Sequence, residues 1–182
     1  MTHTEPSTVR RRISRVTVAL VVTCAVVAGV GFQAGASVGD HGQSVHPYYT
    51  QEVGGADWFR CASGFNNLDY DLGGAGYINF NARTESRKNV FCIDPRNVAP
   101  SNISTSDRLY KLDLYGNFQP CSVQASGYNG STTWFHQFTS WPSGSQAAWC
   151  GLGTYKVVSG HTVYILGTAR STFISSNEMT IA

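Results

Sequence analysis

The chain has 182 residues, of which 13% are charged and 42% are hydrophobic, and its formal net charge is +2. Four of its thirteen basic residues lie within the first fifteen positions, so the remainder is close to neutral. A near-neutral chain without a long basic run excludes nucleic acid as a charge-driven partner.

Residues 1–36 carry the three parts of a secretory signal peptide. A basic segment that ends at Arg15 precedes an uncharged apolar run at residues 16–32, and Ala34 and Ala36 form a small-x-small cleavage site. We therefore expect a cleaved leader and a secreted protein whose mature chain begins at Ser37. The alternative is a chain anchored in a membrane by residues 16–32, which are slightly shorter than the roughly 20 residues that span a bilayer.

Removal of the leader changes both the charge and the cysteine count. It takes away Cys24 and leaves nine basic and ten acidic residues, a net charge of −1. An even number of cysteines in an oxidising compartment predicts two disulfides, but their pairing stays open. Consecutive cysteines lie too far apart for the close pairs that bind zinc, and no cofactor is expected. The four cysteines of the mature chain are Cys61, Cys92, Cys121 and Cys150.

Residues 37–55 are polar and contain several glycines, which predicts a flexible N-terminal arm. Residues 56–182 are long enough for one domain with its own core. Alternating side chains predict strands at residues 76–82 and 107–115, and the β-branched composition of residues 89–93 predicts another.

The C-terminal part of the chain carries the pattern of a β-hairpin. Residues 154–158 and 162–168 are rich in β-forming side chains, and Ser159-Gly160-His161 is the expected turn between them. Helix-forming residues are scarce, whereas Gly, Ser, Thr and Asn are frequent. The sequence therefore predicts a mainly β domain, an antiparallel β-sandwich or barrel stapled by two disulfides and preceded by an apolar signal helix.

A short acidic motif is the candidate metal site. Asn67, Asp69 and Asp71 alternate as the first ligands of a calcium loop do, and oxygen ligands suit calcium. The motif then departs from an EF-hand, because Leu72 and Ile78 occupy positions where that loop has Gly and Glu. The competing interpretation is a strand with these polar side chains facing outward.

Aromatic side chains among Asn, Gln and Ser are the candidate binding residues. We single out Trp141, Trp134 and Tyr128, because an exposed ring flanked by amides and hydroxyls suits a carbohydrate or a protein partner. The competing interpretation is that the tryptophans pack over a disulfide in the core.

His136 and His161 are the only histidines in the predicted domain, and either one could act in acid–base hydrolysis with a carboxylate such as Asp113. Neither lies in a recognisable catalytic motif.

The leading interpretation is a secreted, non-catalytic binding module with an extracellular carbohydrate or protein partner. A small secreted hydrolase, nuclease-like or glycan-cleaving, is one alternative. A secreted protease inhibitor or toxin that presents the loop at residues 94–106 is the other.

Overall fold

The computed structural model describes residues 41–70, 78–137 and 146–182, which belong to one compact unit. In these ranges the chain forms two antiparallel β-sheets and no α-helix, so the prediction of a mainly β, antiparallel domain is confirmed. The predicted leader lies outside the described residues. No helix in the described ranges is long and apolar enough to cross a membrane.

Sheet 1 is built around two long strands that pair along almost their whole length. Its long strands are β1 (Gln43–Glu52), β2 (Phe59–Tyr70) and β3 (Ile78–Lys88). Three short strands pair one after another with successive stretches of β3, on the side away from β2: β4 (Asp94–Pro95), β8 (Phe135–Gln137) and β9 (Gln146–Ala148).

Sheet 2 has a similar plan around a second pair of long strands. Its strands are β5 (Ile103–Leu112) and β10 (Gly153–Ile165), with β6 (Phe118–Pro120) and β7 (Ala125–Tyr128) along β5, and β11 (Thr168–Ser175) and β12 (Met179–Ile181) along β10.

The buried faces of the two sheets share a core that contains two apolar clusters. The first cluster joins both sheets and consists of Leu68, Ile78, Phe80, Leu109, Tyr155, Val157, Met179 and Ile181. The second lies toward the other end of the same strands and consists of Ala62, Val98, Ile103, Val163 and Ile165.

A layer of buried polar side chains separates the two apolar clusters along each long strand. Asn66 of β2 donates to Ser159 Oγ of β10 at 3.1 Å, and Thr84 Oγ1 of β3 is 2.9 Å from His161 Nδ1. Thr105 of β5 donates to Thr84 Oγ1 at 2.8 Å. These hydrogen bonds connect the sheets in the middle of the core, where unpaired polar groups would be costly.

Most of the described part of the predicted N-terminal arm forms a strand. Residues 43–52 form β1, which pairs with β2 along both its halves across an irregularity between Val45 and Tyr49. Tyr48 and Tyr49 pack against the second apolar cluster. The expectation of a flexible arm up to residue 55 is wrong for this segment, because pairing with β2 supplies the order that its polar composition does not.

The predicted hairpin turn at Ser159-Gly160-His161 is also wrong. These residues lie in the middle of β10, and the chain turns instead at Leu166-Gly167, where Ile165 pairs with Thr168. Both turn residues have positive φ, 51° and 78°. Small polar residues are typical of turns, but here Ser159 and His161 belong to the buried polar layer.

Residues 89–93, predicted as a strand, form a tight turn. Asn89 Oδ1 accepts hydrogen bonds from the amides of Phe91 and Ile93, and the amide of Cys92 donates to the Asn89 carbonyl. The side chain of Asn89 thus accepts the hydrogen bonds that a neighbouring strand would accept if residues 89–93 were a strand.

Both predicted disulfides form, and each joins consecutive cysteines. Cys61 pairs with Cys92 beside sheet 1, and Cys121 pairs with Cys150 near the first apolar cluster. The predicted strands at 76–82 and 107–115 correspond to parts of β3 and β5.

Candidate binding surface

The outward side of sheet 2 has a flat floor of small side chains. On β5, Ile103 and Thr105 point into the core, so Ser104 and Ser106 point outward. On β10, Thr162 lies opposite Ser104, and Gly160 lies opposite Ser106. Four neighbouring outward positions therefore carry only hydroxyl groups or hydrogen.

Two exposed aromatic side chains border this floor on opposite sides. Tyr128 of β7 pairs with Ser104 and is 62% exposed, and Phe173 of β11 pairs with Gly160 and is 78% exposed. The backbone positions of the two residues are separated by three strand spacings and by two residues along the strands, which is about 16 Å. We call Tyr128, Phe173 and the floor between them the aromatic–hydroxyl surface.

The ring of Phe173 lies close over Gly160. A Cβ at residue 160 would be 2.6 Å from Ser106 Oγ and 3.1 Å from Phe173 Cε1. Glycine therefore lets the ring approach the backbone of β10, which positions it at the border of the floor.

The remaining outward positions of sheet 2 are mixed: Arg108, Lys156 and Ser171 are basic or polar, whereas Val158, Tyr164, Tyr110 and Phe118 are apolar or aromatic. Thr162 Oγ1 and Ser171 Oγ are 2.8 Å apart, and Arg108 donates from Nε to the Ser122 carbonyl. Lys156 Nζ lies 3.9 Å from the centre of the Phe118 ring. No acidic residue occupies an outward position on the described strands of this sheet. The surface can therefore offer ring stacking and neutral hydrogen bonds to one ligand.

Trp134 lies on the outward side of sheet 1, not beside Tyr128. The guanidinium groups of Arg83 and Arg87 lie 4.7 and 4.6 Å from its ring centre, and Phe135 contacts its ring edge-on. Both arginines also pair with Glu85 at 2.6 Å. Trp134 thus packs within an arginine–aromatic cluster that joins β8 to β3. Trp141 lies outside the described residues.

His161 is an interior residue of the polar layer. It is 1% exposed, and its ring bonds Thr84 Oγ1 at 2.9 Å and Ser159 Oγ at 2.7 Å. Burial lowers the pKa of His161 to about 4, so the ring is neutral at physiological pH. A side chain without access to solvent is poorly placed to reach a substrate.

Of the other two candidate catalytic residues, His136 lies near His161 and Asp113 lies far from it. His136 of β8 is opposite Thr84, whose hydroxyl bonds His161, and its carbonyl accepts a hydrogen bond from Thr105. His136 is half-buried, and burial lowers its pKa. Asp113 follows β5, eight residues beyond the Thr105 that pairs with His161, or about 26 Å along the strand. Its Oδ1 accepts hydrogen bonds from the amides of Tyr115 and Asn117, which lower its pKa and close an exposed turn. The structure therefore does not bring Asp113 and His161 into one cleft.

Two of the candidate calcium ligands lie on the outward face of sheet 1, near the end of β2. Asn67 and Asp69 alternate with the buried Leu68 on β2, and the Asp69 carboxylate accepts a hydrogen bond from the amide of Tyr70. Asp71 lies outside the described residues. No group of three His, Cys, Asp or Glu side chains suited to a metal occurs among the described residues.

The segment at residues 94–106 is tied to the body of the protein. Val98 is buried and bridges to Thr133, and β5 begins at Ile103. The side chain of Asn129 donates to the Ala99 carbonyl and accepts from the amide of Ile103. The segment is therefore anchored to the domain at Val98 and Ile103, while most residues between and before them are exposed.

The sequence patterns single out Tyr128, but they do not single out Phe173 or Gly160, which the structure places on the same side of sheet 2. The signal for Phe173 is present, because alternation places it with Ser171 and Ser175, on the opposite side from Ile174. Nothing in the sequence indicates that Gly160 lies within a strand. Only its position between Ser106 and Phe173 on the neighbouring strands shows that it is not a turn glycine.

Comparisons with protein-family models, with curated proteins and with solved structures found no match to this chain.

Proposed function

We propose that this protein is a secreted, non-catalytic carbohydrate-binding domain whose binding site is the aromatic–hydroxyl surface of sheet 2. The observation that carries the proposal is the placement of two exposed rings, Tyr128 and Phe173, on either side of a floor of Ser, Thr and Gly. A sugar ring can stack on an aromatic face while its hydroxyls bond the floor.

The spacing of the rings favours a carbohydrate over a protein partner. Protein interfaces generally have a contiguous apolar centre with a polar rim. Here the arrangement is reversed, because the centre is hydroxylated and the aromatic groups are at the borders. A separation of about 16 Å between the backbone positions of Tyr128 and Phe173 suits an extended oligosaccharide with more than one sugar ring.

The proposal includes an extracellular location and a β-sandwich architecture. The leader pattern at residues 1–36 and two intramolecular disulfides both fit an oxidising compartment. Two separate strand orders and one shared core favour a sandwich over a closed barrel.

The test is retention of the purified mature protein on insoluble chitin, cellulose, β-1,3-glucan and peptidoglycan, followed by titration with soluble oligosaccharides of the retaining polymer. Phe173→Ala is expected to weaken binding by about tenfold, and Phe173→Ala with Tyr128→Ala to abolish retention.

Tyr115→Ala is the matched control, because Tyr115 is an exposed aromatic residue in the turn after β5, away from the surface. It is expected to bind as the unmodified protein does. Absence of retention on all four polymers, or equal losses in the control and the double variant, would contradict the proposal. A purified protein partner that only the double variant fails to bind would assign the surface to protein recognition instead.

A further inference from the structure

A second exposed feature lies at the end of sheet 1 where β2 begins and β3 ends. The loop before β2 meets the turn after β3 there. Trp58 follows the 3₁₀ turn at Gly55–Asp57, and Val90, Phe91 and Ile93 belong to the turn after β3. All four side chains are at least half exposed, and Phe91 is 76% exposed. We call these four residues the apolar tip.

The two loops of the apolar tip are held together. The amide of Asn89 donates to the carbonyls of Asp57 and Phe59, both at 3.2 Å, and Lys88 Nζ lies 3.0 Å from Asp57 Oδ1. The Cys61–Cys92 disulfide ties the turn to β2. The tip is therefore preformed, and little conformational freedom is lost when it binds.

Several polar backbone groups of the turn are already paired within the protein. Asn89 Oδ1 accepts from the amides of Phe91 and Ile93, the amide of Cys92 donates to Asn89, and Arg87 donates to the Ile93 carbonyl. A segment whose backbone bonds internally can leave water for an apolar medium at a low cost.

The size and shape of the tip favour a lipid surface over a second protein. Its four side chains expose roughly 400–500 Å² together. This is well below the roughly 800 Å² per partner of a stable protein interface, whereas insertion into lipid has no such minimum. The tip also protrudes from the end of the sheet, and tryptophan is favoured at membrane–water interfaces.

The base of the tip carries charges of both signs. Lys88 pairs with Asp57, and Arg87 pairs with Glu85 and donates to the Ile93 carbonyl. Arg96 lies near Arg60 and Asp57, and the exposed Asp94 lies on the segment that follows Ile93. A base with a small excess of basic groups would stop at the headgroups and would have a modest preference for anionic lipid.

We propose that the apolar tip inserts into the interfacial layer of a lipid bilayer and docks the protein on membrane surfaces. This inference does not depend on the carbohydrate site, which lies on the outward side of the other sheet. The docking is peripheral and reversible, because only one turn and one tryptophan enter the interface.

The test is flotation of the purified mature protein with phosphatidylcholine vesicles. The unmodified protein should float with the vesicles, and its tryptophan emission should shift to shorter wavelength. Phe91→Ser with Ile93→Ser should lower the partition coefficient by about tenfold or more. Trp58→Phe should still float but lose most of the emission shift. Addition of phosphatidylglycerol to the vesicles should raise the partition coefficient by about two- to fivefold, because basic groups slightly outnumber acidic groups at the base of the tip.

Leu114→Ser with Tyr115→Ser is the matched control, because it removes two exposed apolar side chains from a turn at the far end of β5. It should float as the unmodified protein does. No flotation of the unmodified protein, or equal loss in the control and tip variants, would overturn the proposal. Concentration-dependent oligomers in ultracentrifugation that only the tip variant dissolves would assign the tip to a second copy instead.

Discussion

The carboxyl group of Asp107 lies in the buried polar layer, where the sequence predicts an ordinary strand position. It is 1% exposed, it sits opposite Ser159 on β10, and neither carboxylate oxygen has a hydrogen-bond partner among the described residues. Burial raises the pKa of Asp107 to about 7, because the charged form loses its hydration. Asp107 is therefore a residue whose charge opposes folding at neutral pH.

Replacement of Asp107 by Asn should stabilise the domain in a pH-dependent way. A folded-state pKa above the ordinary value means that the folded protein loses stability as pH rises through about 7. Asn does not titrate, so Asp107→Asn should gain up to about 3–4 kcal/mol at about pH 8 relative to its effect at about pH 4. Urea denaturation at both pH values measures the difference.

Asp113→Asn is the control for this measurement. Asp113 is exposed, and hydrogen bonds lower its pKa, so its replacement should bring no gain at high pH. The difference in free energy of unfolding between Asp107→Asn and the unmodified protein should depend on pH. The explanation for Asp107 would fail if that difference were the same at both pH values.

His161 shows the opposite shift for the same physical reason. Its folded-state pKa is about 4, below the ordinary value, so its contribution to stability is lost as pH falls toward 4. Its ring also packs directly on β2, because a Cβ at Gly64 would lie 2.7 Å from two ring atoms. The sequence shows a histidine beside a glycine and a serine, and only the packing identifies it as a core residue.

The long strand β10 and its turn show where strand reasoning succeeds and where it fails. The alternation along residues 153–165 is clear, but the Ser159-Gly160-His161 segment looks like an interruption. The actual turn has Leu166 at φ 51° and 54% exposed, an unusual choice for a left-handed position. A two-residue turn with both φ values positive favours Asn-Gly.

Leu166→Asn should therefore stabilise the β10–β11 hairpin. The change relieves the unfavourable backbone conformation of Leu166 and removes an exposed apolar side chain, for a gain of about 0.5–1 kcal/mol. Thermal denaturation measures it. Ser159→Asn, placed at the turn that the sequence predicts, should instead destabilise the protein, because Ser159 is fully buried. An unchanged or lower melting temperature for Leu166→Asn would show that this turn is not strained.

The whole domain depends on the compartment in which it folds. The two disulfides each close a loop of about thirty residues, and each contributes about 3–4 kcal/mol in the chain-entropy model. We expect the chain secreted by an exporting host to begin at Ser37 and to show no free thiols until reduction, when four appear. Intact mass before and after reduction, with thiol alkylation, tests this. A mass that retains residues 1–36, or five reactive thiols, would contradict the cleaved-leader prediction.

The two proposed surfaces use different parts of the same molecule. The aromatic–hydroxyl surface depends on the register of four strands, and the apolar tip depends on one disulfide and one Asn side chain. Sequence patterns single out Tyr128 and Trp134 together, but the structure places them on different sheets, with the Trp134 ring against Arg83 and Arg87. Alternation reports which residues share a strand face, but it does not report which strands are neighbours.

The sequence by itself determined the β class, the strands within β3 and β5, and the presence of two disulfides, because these follow from composition, alternation and cysteine parity. Only the tertiary structure decided the pairing of the cysteines, the formation of strand β1, the position of the hairpin turn and the burial of Asp107 and His161. These features depend on contacts between residues that are distant along the chain, such as Asn66 with Ser159 and Thr84 with His161. The same is true of the aromatic–hydroxyl surface, because β7, β5, β10 and β11 become neighbours only when the sheet forms.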